Sequence, residues 1–133
     1  MKDQFDREIT YLRVSITDRC NLRCRYCMPA DGVCKVSHQE ILRYEEILEI
    51  VAMAAELGVK KVRVTGGEPL VRLGCADLCA GISSIPGIQE VVLTTNGILL
   101  EQQAEALHRA GVKRVNVSLD TMNPEKYCSI TGG

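Results

Sequence analysis

Four short stretches of this chain, residues 10–17, 60–65, 89–95 and 113–119, alternate between apolar and polar positions. In the first, Leu12, Val14 and Ile16 point one way while Arg13, Ser15 and Thr17 point the other, which is the two-residue period of a strand. The second sets Val62 and Val64 against Arg63 and Thr65, and the fourth sets Val115, Val117 and Leu119 against Arg114, Asn116 and Ser118. The third is weaker, with Val91 and Leu93 opposite Val92 and Thr94. Helical spacing fills the intervals. Residues 44–57 carry Ile47, Leu48, Val51, Ala54 and Ala55 inward and stop at Gly58, residues 75–85 end before Pro86-Gly87, and residues 101–110 end at Gly111. Ser37-x-x-Glu40 reads as a capping box for a short turn of helix ahead of the first.

Strands that alternate with helices of this length predict an α/β fold with a parallel sheet built from βα units. Strands covered on both faces read as nearly continuous Val, Ile and Leu, and these do not. With the apolar set against the helices, the polar set is expected to line a wet, concave surface, where Arg13 and Arg63 suit an anionic ligand. The competing reading leaves the same side chains facing solvent on an open sheet.

Composition narrows the class without naming a chemistry. A chain of 133 residues with 46% hydrophobic and 25% charged residues fits one globular domain, residues 1–133. The net charge of −1 supplies no global field for nucleic acid or a membrane. The longest apolar run, around residues 50–55, is too short to cross a bilayer. The charged start shows no signal-peptide pattern, and seven cysteines, an odd number, fit a reducing cytoplasm.

The candidate chemistry lies in Cys20-Asn-Leu-Arg-Cys24-Arg-Tyr-Cys27, three soft donors within eight residues just past the first strand. A complete zinc or iron-sulfur site normally takes four protein ligands, so three imply an open coordination position. Structural zinc and inert core thiols are the alternatives. No second cysteine pair stands at zinc-ribbon spacing, and His38 is isolated in the sequence. Cys75 and Cys79 share a helical stripe with Leu78, Ile82 and Ile85 and are expected to be buried, while Cys34 and Cys128 receive no role. The other distinctive words, Gly66-Gly67-Glu68-Pro69, Asn96-Gly97 and Asp120-Thr121, also follow strand ends, the rim where βα folds build active sites.

The CxxxCxxC spacing with an aromatic residue before the last cysteine resembles the signature of the radical S-adenosylmethionine (SAM) enzymes. With residues 12–20, Thr65-Gly-Gly-Glu-Pro-Leu70, Thr94-Thr-Asn-Gly97 and residues 115–121, the chain resembles the GTP 3′,8-cyclase family of molybdenum cofactor biosynthesis. The resemblance implies a partial (β/α) barrel, about four βα units of about six, with the C-terminal strands and a second cluster region beyond this chain. It implies a 4Fe-4S cluster on Cys20, Cys24 and Cys27, with SAM on the open iron, reduced by a flavodoxin or ferredoxin. One electron passed to the sulfonium then gives a deoxyadenosyl radical, which abstracts hydrogen from substrate.

By position, Tyr26, Gly66, Gly67, Glu68 and Ser118 match SAM contacts, and Arg13, Arg63 and Thr94 match GTP contacts. The implied reaction is a lyase step from GTP to (8S)-3′,8-cyclo-7,8-dihydroguanosine 5′-triphosphate, in a cytoplasmic enzyme and within a family dimer. Arg19, Arg23 and Arg25 either add positive charge around the cysteine loop or form a solvated basic turn. The alternatives are another radical SAM enzyme with a different substrate, or a non-catalytic cluster- or zinc-binding remnant. The chain is expected to be incomplete for turnover and to lack ligands for a second cluster.

Overall fold

The structure, a computed structural model, describes residues 2–27, 37 and 40–132. Strands β1 (Tyr11–Ser15), β2 (Lys61–Thr65), β3 (Glu90–Thr95) and β4 (Val112–Val117) form one parallel sheet in the order β1-β2-β3-β4. Helices α1 (Tyr44–Glu56), α2 (Cys75–Ser83) and α3 (Leu100–Arg109) connect them, and α4 (Pro124–Thr131) follows β4. Sequential order with parallel pairing is the arrangement of a barrel wall rather than of a doubly wound sheet.

The core lies on one face of the sheet. Val62, Val64, Val91 and Leu93 pack there against Ile47 and Val51 of α1, Leu78, Cys79 and Ile82 of α2, and Leu107 of α3. Leu12, Val14 and Leu48 lie partly buried at its margin. Cys75 and Cys79 are sealed within the core, as their stripe predicts, and hydrogen bonding to Cys79 together with burial pushes the Cys75 thiol up. Gly58 ends α1 at φ +101°, a backbone region open to glycine at little cost.

Several details differ from the sequence reading, among them the ends of β1, α3 and β4 by one or two residues. Helix α1 stops at Glu56 and α2 at Ser83, one and two residues early. Helix α4 was not predicted, although Asn123 caps it by accepting a hydrogen bond from the Lys126 N–H at 3.0 Å and Pro124 opens it. In β4 the register slips, since Val91 pairs with Val112 but Val92 pairs with Arg114. Lys113 is the extra residue of this bulge. Val112 and Val115 therefore reach the core, while Val117 and Leu119, expected to be covered, are half exposed. Cys34 and His38 lie outside the described residues, as does the middle of the turn in which the Glu40 carboxylate accepts from the Ser37 N–H at 3.1 Å. No described helix is long and apolar enough to cross a membrane.

Candidate functional site

Backbone pairing continues past the ends of β1 and β2 into their loops. The N–H groups of Ile16, Gly67 and Glu68 donate to the carbonyls of Thr65, Thr17 and Arg19 at 2.9, 2.7 and 2.8 Å. This zip sets the cysteine loop directly against the Gly66-Gly67 turn. A Cβ on Gly66 would meet the Thr17 carbonyl oxygen at 2.7 Å, and one on Gly67 would fall on the Arg19 carbonyl. The glycines are thus needed first for the contact between two main chains.

Glu68 anchors that contact from beneath. Its side chain is 1% exposed, one oxygen accepts from the Leu70 N–H at 3.0 Å and the Thr95 hydroxyl at 2.7 Å, and the other accepts from the Asn96 N–H at 2.7 Å. A buried carboxylate persists only where donors replace its water. The bonds from Thr95 and Asn96 tie the end of β2 to the end of β3, while that from Leu70 closes the loop locally.

The cysteine loop is held at several points. Leu22 is buried, and its N–H donates to the Cys20 sulfur at 3.4 Å. The Cys27 N–H closes a turn on the Cys24 carbonyl at 2.9 Å. The N–H groups of Arg23 and Arg25 donate to the carbonyls of Thr131 and Ile130 at 2.7 and 3.0 Å, so the loop docks on the last turn of α4. There Gly132, at φ +78°, lies against Arg23, where a Cβ would approach the Arg23 side chain at 3.0 Å. The Arg23 guanidinium folds back onto the carbonyls of Cys20 and Leu22 at 2.8 and 2.7 Å, so it braces the loop while the residue stays exposed.

Cys20 and Cys24 are half-buried, Cys27 is exposed, and all three are free thiols. Among the described residues no three His, Cys, Asp or Glu side chains are gathered at metal-binding distance. The loop's fitness for a metal rests on its donor chemistry and spacing. Tyr26, between the last two cysteines, donates its hydroxyl to Asp120 at 2.8 Å, and this bond pushes its ionisation up from the usual phenol value. Ser118, beyond β4, is exposed on the same rim, and its N–H donates to the Thr95 carbonyl at 2.8 Å.

The polar face of the sheet follows from the register. One row runs Arg13, Arg63, Val92, Arg114 across the four strands, and the next toward the rim includes Ser15, Thr65, Thr94 and Asn116. Val92 is fully buried yet lies outside the core cluster, which places it on this face between arginines. Arg63 donates to the Thr94 hydroxyl at 2.8 Å and to the Tyr11 hydroxyl at 2.5 Å. Near the strand starts, Glu90 pairs with Lys61 at 2.7 Å and with Arg114 at 3.3 Å, and Lys61 first among these cations holds its carboxyl below the usual range. Among the described residues no carboxylate lies at ion-pair distance from Arg13 or Arg63. The structure brings Arg13, Arg63 and Thr94 together on one face, as expected. The sequence places Asn96 and Asp120 in rim motifs without marking a task for either side chain, and it does not single out Arg72. Arg72 donates to the carbonyls of Ile16 and Leu42 and stacks 4.2 Å from the Tyr44 ring, steadying the end of β1.

A parallel sheet whose rim carries a three-cysteine loop zipped to a glycine turn defines a class, and the chain belongs to the Radical SAM superfamily, whose sequence profile matches residues 14–133. Over all 133 residues it is 58% identical to the GTP 3′,8-cyclase of Alkaliphilus oremlandii and 60% identical to that of Pelotomaculum thermopropionicum. It spans only 42% and 41% of the lengths of these curated relatives. Among solved structures, Streptococcus suis SuiB bound to S-adenosylmethionine superposes with a TM-score of 0.75 at 22% identity, covering 92% of this chain and 28% of SuiB. BtrN in complex with AdoMet and 2-DOIA gives 0.65 at 20% identity, covering 93% of this chain and 51% of BtrN. These two likenesses concern the fold.

Proposed function

We propose that Cys20, Cys24 and Cys27 hold a 4Fe-4S cluster with one iron open to SAM, and that this segment serves a GTP 3′,8-cyclase. One observation carries the reading. The thiol loop, the Gly66-Gly67 turn and the face bearing Arg13, Arg63 and Thr94 meet at one end of a single sheet, so a cofactor on the rim and an anionic substrate on the face would be neighbours. The identity to GTP 3′,8-cyclases along the whole chain supports GTP as that anion.

The donor set fits such a group, because three thiolates and no imidazole favour an iron-sulfur cluster over hard cations. When bound, the cluster supplies the electron that cleaves SAM to a 5′-deoxyadenosyl radical. The chain's own residues bind and orient. The Gly67 N–H is spent on Thr17, so this turn offers its carbonyls, which suit the SAM amino group. Tyr26 and Ser118 flank the same rim. Arg13 and Arg63 pair with phosphate or a base edge through their planar forks, and Thr94 holds the Arg63 fork in place at 2.8 Å.

The curated relatives are more than twice this length, and the full conversion of GTP is assigned to a chain of that extent; the expected one-electron donor is a flavodoxin or ferredoxin, acting on a cytoplasmic dimer. The test is anaerobic reconstitution with iron and sulfide, followed by electron paramagnetic resonance of the reduced protein with and without SAM. A four-iron signal that changes on adding SAM supports the reading. Uptake of zinc alone, or a cluster signal indifferent to SAM, overturns it. A SAM-responsive cluster in a chain of the relatives' full length that fails to bind GTP points to a radical SAM enzyme with another substrate.

A further inference from the structure

We infer that Asn96 is a positioning residue for the cysteine loop, its side-chain amide donating a hydrogen bond to the Cys20 sulfur and so setting the reduction potential of the cluster. The inference rests on the cluster reading above and deepens it.

Asn96 lies just past β3, on the rim facing the cysteine loop. Its main chain is fixed from one side, since its N–H donates to the buried Glu68 carboxylate at 2.7 Å. Its side chain is fixed from the other, since Oδ1 accepts from the Ile98 N–H at 3.1 Å. That second bond also assigns the amide, because only the oxygen can accept from Ile98. The nitrogen is therefore the end that meets the cysteine loop, and it lies 2.8 Å from Asn21 Oδ1 and 3.9 Å from Cys20 Sγ. A primary amide has two hydrogens, one for each acceptor. With the Leu22 N–H at 3.4 Å, the Cys20 sulfur has two nitrogen donors.

The consequence for redox chemistry is one of sign. Adding one electron to a thiolate-held cluster increases the negative charge shared with its sulfurs, and N–H donors favour that more negative state. Asn96 thus raises the potential of the couple, and removing its donor lowers it. The Glu68, Asn96, Cys20 sequence of contacts also gives the glycine turn a second link to the first cysteine, beside the main-chain zip between the two loops.

The experiment compares the reconstituted wild-type chain with Asn96→Asp and Asn96→Ser in dye-mediated redox titrations, with dithionite as the one-electron reductant and the four-iron resonance as the readout. Asn96→Asp keeps an acceptor for Ile98 but turns the donor into an oxygen. Asn96→Ser keeps a hydroxyl to cap Ile98, carries no charge and is too short to reach Cys20. Both are expected to shift the couple to more negative potential, for Asn96→Asp by at least tenfold in the reduction equilibrium, or about 59 mV for one electron. Asn21→Ala, which removes the competing acceptor and leaves the donor to sulfur in place, is expected to hold the potential or raise it. Folded variants that lose iron while wild type retains it support the positioning role. Asn96 variants with wild-type circular dichroism, iron content and potential overturn the inference while leaving the cluster reading intact. A wild-type chain that forms no cluster sinks both.

Discussion

The Tyr26 hydroxyl lies 2.8 Å from Asp120 Oδ2, joining residues 94 positions apart. Tyr26 belongs to the loop that leaves β1 and Asp120 to the segment that leaves β4, the two outer strands of the sheet. Three interstrand steps of ~4.8 Å would separate these strands by about 14 Å in a flat sheet. The cysteine loop closes that distance over the rim, and its two backbone bonds to Ile130 and Thr131 of α4 reinforce the crossing.

From this follows a first prediction. Tyr26→Phe and Asp120→Ala each remove the same bond, which is exposed, so each is expected to cost about 0.5–1.5 kcal/mol. In a double-mutant cycle read by urea unfolding, the second substitution is expected to add little to the first. Fully additive losses would show that the bond carries no coupling in solution.

Gly67→Ala tests the zip between the β1 and β2 loops. The added methyl would fall on the Arg19 carbonyl, a main-chain atom with no freedom to swing aside. Overpacking of this kind costs about 1–3 kcal/mol. The variant is expected to melt lower and to bind SAM more weakly in isothermal titration. Wild-type melting with wild-type SAM affinity would mean that the loops are not in contact.

Glu68→Gln keeps the size of the side chain but replaces one acceptor oxygen with an NH2 group. The three donors from Leu70, Thr95 and Asn96 then face a single oxygen and another donor. With bonds to charged groups worth about 1.5–3 kcal/mol, denaturant unfolding is expected to show a loss in that range. A neutral result would place the carboxylate outside the structure's energetics.

Much of this arrangement was legible in the sequence because it is written in period and punctuation. Alternation located the four strands, and Gly58, Gly87 and Gly111 marked helix ends. The β4 bulge was not legible, because Lys113 fits either register and the choice is made by Val112 and Val115 reaching the core. Glu68 carried no sign of burial, since its three donors come from main-chain and hydroxyl groups up to 28 residues away. Asn96 stood out as part of the Asn96-Gly97 motif on the rim, with no role for its side chain. Its contact with Cys20 spans 76 residues and depends on how two rim loops pack. Helix α4 was within reach, because Asn123-Pro124-Glu125 is an N-terminal signature that the sequence reading passed over.

Tyr44 gives a prediction about pH. Burial, opposed by the Arg72 guanidinium over its ring, pushes its hydroxyl up to about 12. A folded value above the ordinary phenol value of about 10 means that the fold prefers the neutral form. The linked stability is complete below pH ~10 and is lost as pH rises toward 12. Ultraviolet difference titration of wild type against Tyr44→Phe is expected to show that the substitution removes an ionisation lying above the ordinary phenol range. Ionisation near pH 10 would place Tyr44 in open water.

The arginines of the polar face differ in what they have left to give. Arg114 shares the row of Arg13 and Arg63, but Glu90 lies 3.3 Å from its guanidinium. Arg13 has no carboxylate at that range among the described residues. An anionic ligand gains more from a cation whose charge is not already compensated. Arg13→Ala is therefore expected to weaken GTP binding about tenfold, ~1.4 kcal/mol, with a shallower dependence on salt. Arg114→Ala is expected to change it by less than about threefold while freeing Glu90 to bind Lys61 alone. Neither substitution touches the cysteine loop, so SAM affinity should hold in both, and titration calorimetry with each ligand separates the effects. Equal losses of GTP affinity in the two variants would mean that the phosphate-facing part of the row extends to β4, and a loss of SAM affinity in Arg13→Ala would place that side chain at the cofactor instead of the substrate.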